Sequence, residues 1–138
     1  VEGLESFLLG RLQRRNEFEN NRMRMVMTRL LQCRGMFNVE QLASYACLSR
    51  KQFERVFAAY VGLMPKQYLR VIRFLYAVEF RNRMPEVDLV TLAFHTGYYD
   101  AAHLANEIKA LTGHTSLSLF QLMCFSEDAE SIEWFLGA

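Results

Sequence analysis

The stretch NVEQLASYACLSRKQFERVFAAYVG, residues 38–62, carries two helix starts in quick succession. Asn38 can accept from the free N–H groups of a first turn while Gln41 reaches back to it, and Ser49 with Gln52 repeats the arrangement. Both are capping boxes. Only Ala46, Cys47 and Leu48 separate the helix predicted over about Val39 to Ala46 from the helix predicted over Arg50 to about Val61, so two short helices meet at a tight turn. This is a helix-turn-helix outline. Phe53, Val56, Phe57 and Tyr60 share the face expected to be buried, which leaves Arg50, Lys51, Glu54 and Arg55 outward and early in the helix. Gly62 is the expected stop, because glycine takes the left-handed cap without a Cβ penalty.

The plan recurs downstream. Leu42-Ala43 is matched by Leu92-Ala93, and Ser49, Phe53 and Gly62 are matched by Asp100, Leu104 and Gly113, with one residue inserted at Tyr98-Tyr99. Asp88 can cap a helix over about Leu89 to His95, and Asp100 one over about Ala101 to Leu111. Between the copies, Pro65 suits a first helical position, and Lys66 to Asn82 is apolar nearly all round through Tyr68, Leu69, Val71, Ile72, Phe74, Leu75, Val78 and Phe80. Such a helix must be covered on several sides. Upstream, Leu4 to Leu12 is read as a short amphipathic helix and Arg14 to Asn21 as a linker or the opening of the next helix. That next helix is expected from about Asn21 to Arg34, with Met23, Val26, Met27, Leu30 and Leu31 inward and Gly35 as its stop.

The 138 residues are 51% hydrophobic and 22% charged, enough for one core and too patterned for disorder. No apolar run approaches the ~18 residues of a membrane span. Cys33, Cys47 and Cys124 are odd in number and widely spaced, which argues against a disulfide framework and a zinc site and for a reducing compartment. The chain starts at Val1 without a signal-peptide pattern and reads as a fragment. Charge is unevenly placed: Val1 to Arg83 holds 15 basic and 7 acidic residues, whereas Met84 to Ala138 holds one basic residue, Lys109, and 8 acidic ones. Only the first half therefore suits a polyanion.

These residues together resemble the DNA-binding domain of AraC/XylS-type bacterial transcription regulators. The resemblance runs from about Val39 to Leu119 and is carried by Leu42-Ala43, Leu48-Ser49, Phe53-Glu-Arg-Val-Phe57, Gly62-Leu-Met-Pro-Lys66, Tyr68, Arg73-Phe74, Leu92-Ala93, Gly97-Tyr-Tyr-Asp100, His103 and Thr112-Gly113. It implies an all-α fold: two helix-turn-helix subdomains joined by a long central helix, about seven helices, to which a short N-terminal helix is added here. Residues 1–20 are then expected as the trailing edge of a sensing domain, 21–64 as the first lobe, 65–83 as the connecting helix, 84–123 as the second lobe and 124–138 as an acidic tail. The implied function is sequence-specific binding of double-stranded DNA in a bacterial cytoplasm, at the nucleoid, with RNA polymerase and a dimerising domain outside this chain as further partners of the intact regulator.

Carried over position by position, the resemblance places base contacts at Arg50, Lys51, Glu54 and Arg55 and phosphate contacts at Ser49 and Lys66. The residue types fit: arginine pairs with guanine O6 and N7, glutamate accepts from the cytosine amino group, and helix starts favour anions. The second lobe departs from the family at the same places, with Ala101, Ala102, Ala105 and Asn106, of which only Asn106 can hydrogen-bond a base edge. Its base readout is expected to be weak. Cys47 stands where the second copy has Gly97, a costly exchange if the turn needs positive φ.

No nucleotide-binding or hydrolase motif occurs, and His95, His103 and His114 are too dispersed for a metal site, so neither catalysis nor a cofactor is expected. His103, one turn from Glu107, is read as a hydrogen-bonding structural residue. The alternative from another class is an AraC-like module for protein interaction, using the acidic second half and a tail with Ile132, Trp134, Phe135 and Leu136.

Overall fold

The computed structural model describes the backbone of residues 2–124 and the side chains of residues 16–123. The described chain is all helical: α1 (Glu2–Gln32), α2 (Val39–Tyr45), α3 (Arg50–Val61), α4 (Pro65–Arg83), α5 (Leu89–His95), α6 (Ala101–Thr112) and α7 (Ser116–Cys124). The tail expected from residue 124, with Trp134 and Phe135, lies outside the described residues beyond the backbone of Cys124.

The N-terminal expectation is corrected. In place of a short helix over Leu4 to Leu12 and a separate helix from Asn21, α1 runs unbroken from Glu2 to Gln32, so that of the two readings of Arg14 to Asn21 the linker is excluded and the segment is helical. Arg14 to Asn21 contains neither proline nor glycine, and its arginines and glutamates are good helix formers that need no apolar face to continue a helix already nucleated. The stop also comes earlier, because Arg34 itself turns left-handed at φ 54° ahead of Gly35 at φ 71°.

The described residues form two compact units, one of residues 2–33 and 37–68 and one of residues 34–36 and 69–124. In the first, Met23, Val26 and Leu30 from α1 are buried, as are Leu42, Ala43 and Ala46 around α2 and Phe53 and Phe57 from α3. The rings of Phe53 and Phe57 stand 5.4 Å apart, and Tyr68 meets Phe57 edge-on at 5.7 Å. Each phenylalanine contributes about 1.5–3 kcal/mol by leaving water. Tyr60, expected inward, is instead 47% exposed. It sits in the last turn of α3 beside a groove, where no element covers it fully.

The second unit centres on Ala77, Leu92, Ala93, Tyr98, Leu104, Ile108 and Phe120, with Phe74, Phe80, Val87 and Leu89 packed against them. Arg70 holds Glu107 by two bonds, Nε to Oε2 at 2.8 Å and Nη2 to Oε1 at 3.0 Å, tying α4 to α6. Gly35 rests against α4: a Cβ there would lie 2.9 Å from the Leu69 carbonyl oxygen and 3.0 Å from the Arg73 nitrogen. Arg73 returns the contact by donating to the Gly35 carbonyl at 2.9 Å.

The repeat is visible in the backbone. Leu48 N–H donates to Ala43 at 3.0 Å, and Tyr98 N–H donates to Ala93 at 3.0 Å. Cys47 takes φ 54° where Gly97 takes φ 76°, so the first turn does require positive φ and holds it without a glycine. That strain costs on the order of 1 kcal/mol. The inserted Tyr99 is 91% exposed, as a residue added to a turn without a core position must be.

Candidate nucleic-acid interface

Both capping boxes form as their sequences dictate. Gln41 N–H donates to Asn38 at 2.8 Å and Asn38 N–H to Gln41 Oε1 at 2.8 Å, while Ser49 N–H donates to Gln52 Oε1 at 3.1 Å and Gln52 N–H to Ser49 Oγ at 3.3 Å. The Ser49 hydroxyl also donates to Gln52 Oε1 at 2.9 Å. Ser49 therefore already spends its own donors inside the box, and what it offers an incoming phosphate is mainly the start of α3 that it fixes.

With Phe53 and Phe57 fully buried, Lys51 and Arg55 are exposed on the opposite side of α3, while Arg50, seven residues before Phe57 and so on its side of the helix, is exposed because it opens the first turn. Glu54 is half-buried and accepts from Arg50 Nε at 3.0 Å. Arg55 lines a groove of about 410 Å³ between α1 and α3 with Glu19, Asn20, Met23, Val56, Ala59 and Tyr60. Lys66 is exposed in the first turn of α4. The five polar residues expected on the first lobe's α3 and its cap thus sit on one helix start and its outer face.

One residue on this face escaped the sequence reading. Glu40, in the first turn of α2, pairs with Arg50 Nη1, so Arg50 bridges two carboxylates from two helices. Both carboxylates hold the Arg50 guanidinium above its ordinary range, the hydrogen bond to Glu54 contributing most. The sequence placed Glu40 only inside a capping motif; its proximity to Arg50 depends on how α2 and α3 cross, which the sequence alone does not report.

On α6, Ala101 and Ala105 are half-buried and Ala102 and Asn106 exposed, so Asn106 alone presents a hydrogen-bonding side chain among those four. Polar groups nearby serve the unit itself. Asp100 accepts from His103 N–H at 2.7 Å, Glu107 is held by Arg70, and Tyr99 N–H donates to His103 Nδ1 at 3.3 Å. His103 is the structural hydrogen-bonding residue expected of it. Among the described residues no group of three His, Cys, Asp or Glu could hold a metal ion, and no helix is long and apolar enough to cross a membrane.

The profile of a helix-turn-helix domain family matches residues 42–120, from α2 into α7. An uncharacterized HTH-type transcriptional regulator of Haemophilus influenzae is 30% identical over 80 residues, which are 58% of this chain and 26% of that protein. The chain thus spans about a quarter of that relative. Among solved structures, the DNA-binding domain of AdpA, a global transcriptional factor, in complex with a target DNA is similar at a TM-score of 0.63 and 24% identity, over 71% of this chain and 88% of that one. That likeness concerns the fold. With more than half of its length inside the family profile, two capped helix-turn-helix copies and an all-helical fold, the chain belongs to the AraC-type helix-turn-helix domain family.

Proposed function

We propose that this chain is the sequence-specific DNA-binding module of a transcription regulator, with α3 as its reading helix in the major groove. The observation that carries the reading is the exposed basic surface of α3: Arg50 at its start and Lys51 and Arg55 on its outer face, on a helix whose inner face is anchored by Phe53 and Phe57. Arg55 is the leading base reader, with Arg50, Lys51 and Glu54 beside it; Ser49 at the α3 start and Lys66 on α4 serve phosphates. Family membership favours this over the protein-interaction alternative.

In the second unit, Ala101, Ala102 and Ala105 contribute at most apolar contact to a thymine methyl, and Asn106 is the one candidate for adenine. The acidic balance of that half repels phosphate, so its share of affinity is small. In the intact regulator, sequence outside this chain would supply sensing or dimerisation, contact with or obstruction of RNA polymerase would be the readout, and the nucleoid would be the place of action. No catalytic step enters the proposal.

The test is fluorescence anisotropy of a mixed-sequence duplex titrated with the 138-residue chain at several salt concentrations. Binding should weaken as salt rises, Arg55→Ala should weaken it by about 10-fold or more, and Asn106→Ala should change it less than about twofold. Absence of salt-dependent binding, or equal losses from the two variants, refutes the assignment of reading to α3.

A further inference from the structure

Arg50 stands apart from the other cations of α3. Its Nε donates to Glu54 Oε1 at 3.0 Å and its Nη1 pairs with Glu40 Oε1, whereas Lys51 and Arg55 have no carboxylate partner among the described residues. A guanidinium offers two forked edges, Nε with Nη2 and Nη1 with Nη2, and reads guanine or grips a phosphate by using both donors of one edge. Here each edge has one donor already taken. Arg50 and Glu40 are nonetheless both 56% exposed, against 29% for Glu54, so Glu40 is the partner within reach of solvent and of an incoming anion.

Resting on the DNA-binding reading above, we propose that Glu40 is a positioning residue that withholds Arg50 from DNA: a phosphate must displace the Glu40 carboxylate before Arg50 can bind it, and affinity for DNA of any sequence is lowered accordingly. The electrostatics follow from the cluster. Three exposed cations in the first two turns of α3 would attract any duplex, and non-specific binding scales with the number of cations free to replace counterions. Glu40 removes one of the three from that count. The exchange is reversible because a surface ion pair is weak, so a correctly placed pair of acceptors on the DNA can still displace Glu40 from Arg50. Glu40 also suits the first turn of α2, where a negative charge meets the positive end of the helix. That role alone would leave DNA binding untouched.

The two roles separate in a double-mutant cycle on the 138-residue chain, with a mixed-sequence duplex as probe and affinity read at several salt concentrations. Glu40→Gln should tighten binding about 3- to 10-fold at low salt and steepen the logarithmic salt slope by about 1, since one more cation reaches phosphate. In an Arg50→Ala background the same substitution should change affinity less than about twofold and leave the slope where it was. If Glu40→Gln alters neither affinity nor slope while Arg55→Ala still weakens binding, the proposal is wrong and the DNA reading stands. Equal tightening with and without Arg50 overturns it as well, because Glu40 then acts as a plain repulsive charge. If the parent chain and every variant fail to bind, both readings fall together.

Discussion

Gly35→Ala tests whether the second unit is closed by the approach of one backbone to another. Gly35 sits at φ 71°, and an added Cβ would lie 2.9 Å from the Leu69 carbonyl oxygen and 3.0 Å from the Arg73 nitrogen. Both are backbone atoms of α4 and cannot rotate aside. Gly113, in the same unit at φ 77°, has nothing within 4 Å of such a Cβ. The two share a left-handed cost of about 1–2 kcal/mol, offset by about 0.4–1 kcal/mol because alanine restricts the unfolded chain. Gly113→Ala should therefore lose about 0.5–1 kcal/mol. Gly35→Ala adds overpacking of about 1–3 kcal/mol and, if the segment lifts, weakens the bond of about 1 kcal/mol from Arg73 to the Gly35 carbonyl, for a total of about 2–4 kcal/mol. Urea denaturation followed by circular dichroism gives both values from midpoints and slopes. Equal losses would mean that α4 yields freely at this point and would refute the close-approach reasoning.

Two further outcomes follow from the same unit. The Tyr98 hydroxyl is buried, has no hydrogen-bond partner among the described residues, and burial pushes its ionisation up to about 12. Tyr98→Phe should thus be within about 1 kcal/mol of neutral at pH 7. Because the folded value lies above the ordinary 10, this group's stabilisation is complete below pH 10 and is lost as pH rises toward 12, so the wild type should lose ground to Tyr98→Phe over that window. Parallel denaturation profiles for the two proteins from pH 7 to 11.5 would contradict it. For Arg70 and Glu107, whose side chains are 38% and 19% exposed, a double-mutant cycle with Arg70→Gln and Glu107→Gln should show coupling of about 0.5–1.5 kcal/mol that shrinks with added salt. A coupling of zero would mean that the two-point contact does not hold α4 to α6.

What was legible in the sequence is what is decided locally. The starts of α2, α3, α5 and α6 depend on Asn38, Ser49, Asp88 and Asp100 and on backbone groups at most three residues away, and each start lies where its cap places it. The ends at Gly62 and Gly113 are equally local. The unbroken α1 was not legible, because a polar segment without breakers is compatible with helix and linker alike. Nor was Tyr60 legible: it lies on the same side of α3 as Phe53, and only the extent of the neighbouring elements leaves it exposed. On the candidate interface, the outward placement of Lys51 and Arg55 was readable from periodicity and that of Arg50 from its place in the first turn, while the capture of Arg50 by Glu40 required two helices to be placed first. The tie between Arg70 and Glu107 was hidden for the same reason.

Comparison of the two copies shows where each spends its polar side chains. The turn is common to both, with the same 3.0 Å bond and a left-handed residue at Cys47 and at Gly97. The first copy holds that turn against a strain of about 1 kcal/mol that a glycine would remove, and its second helix carries three exposed cations. The second copy has the unstrained glycine, but Arg70 and Glu107 neutralise each other, Asp100 caps α6, His103 accepts from the backbone, and three of the four outward positions are alanine. Its polar groups are consumed in holding the unit together. At the matching recognition positions the exposed cations stand on α3, and α6 offers only Asn106 there, and so a charge change at Glu40 should be felt in DNA affinity, whereas loss of Asn106 should change it little.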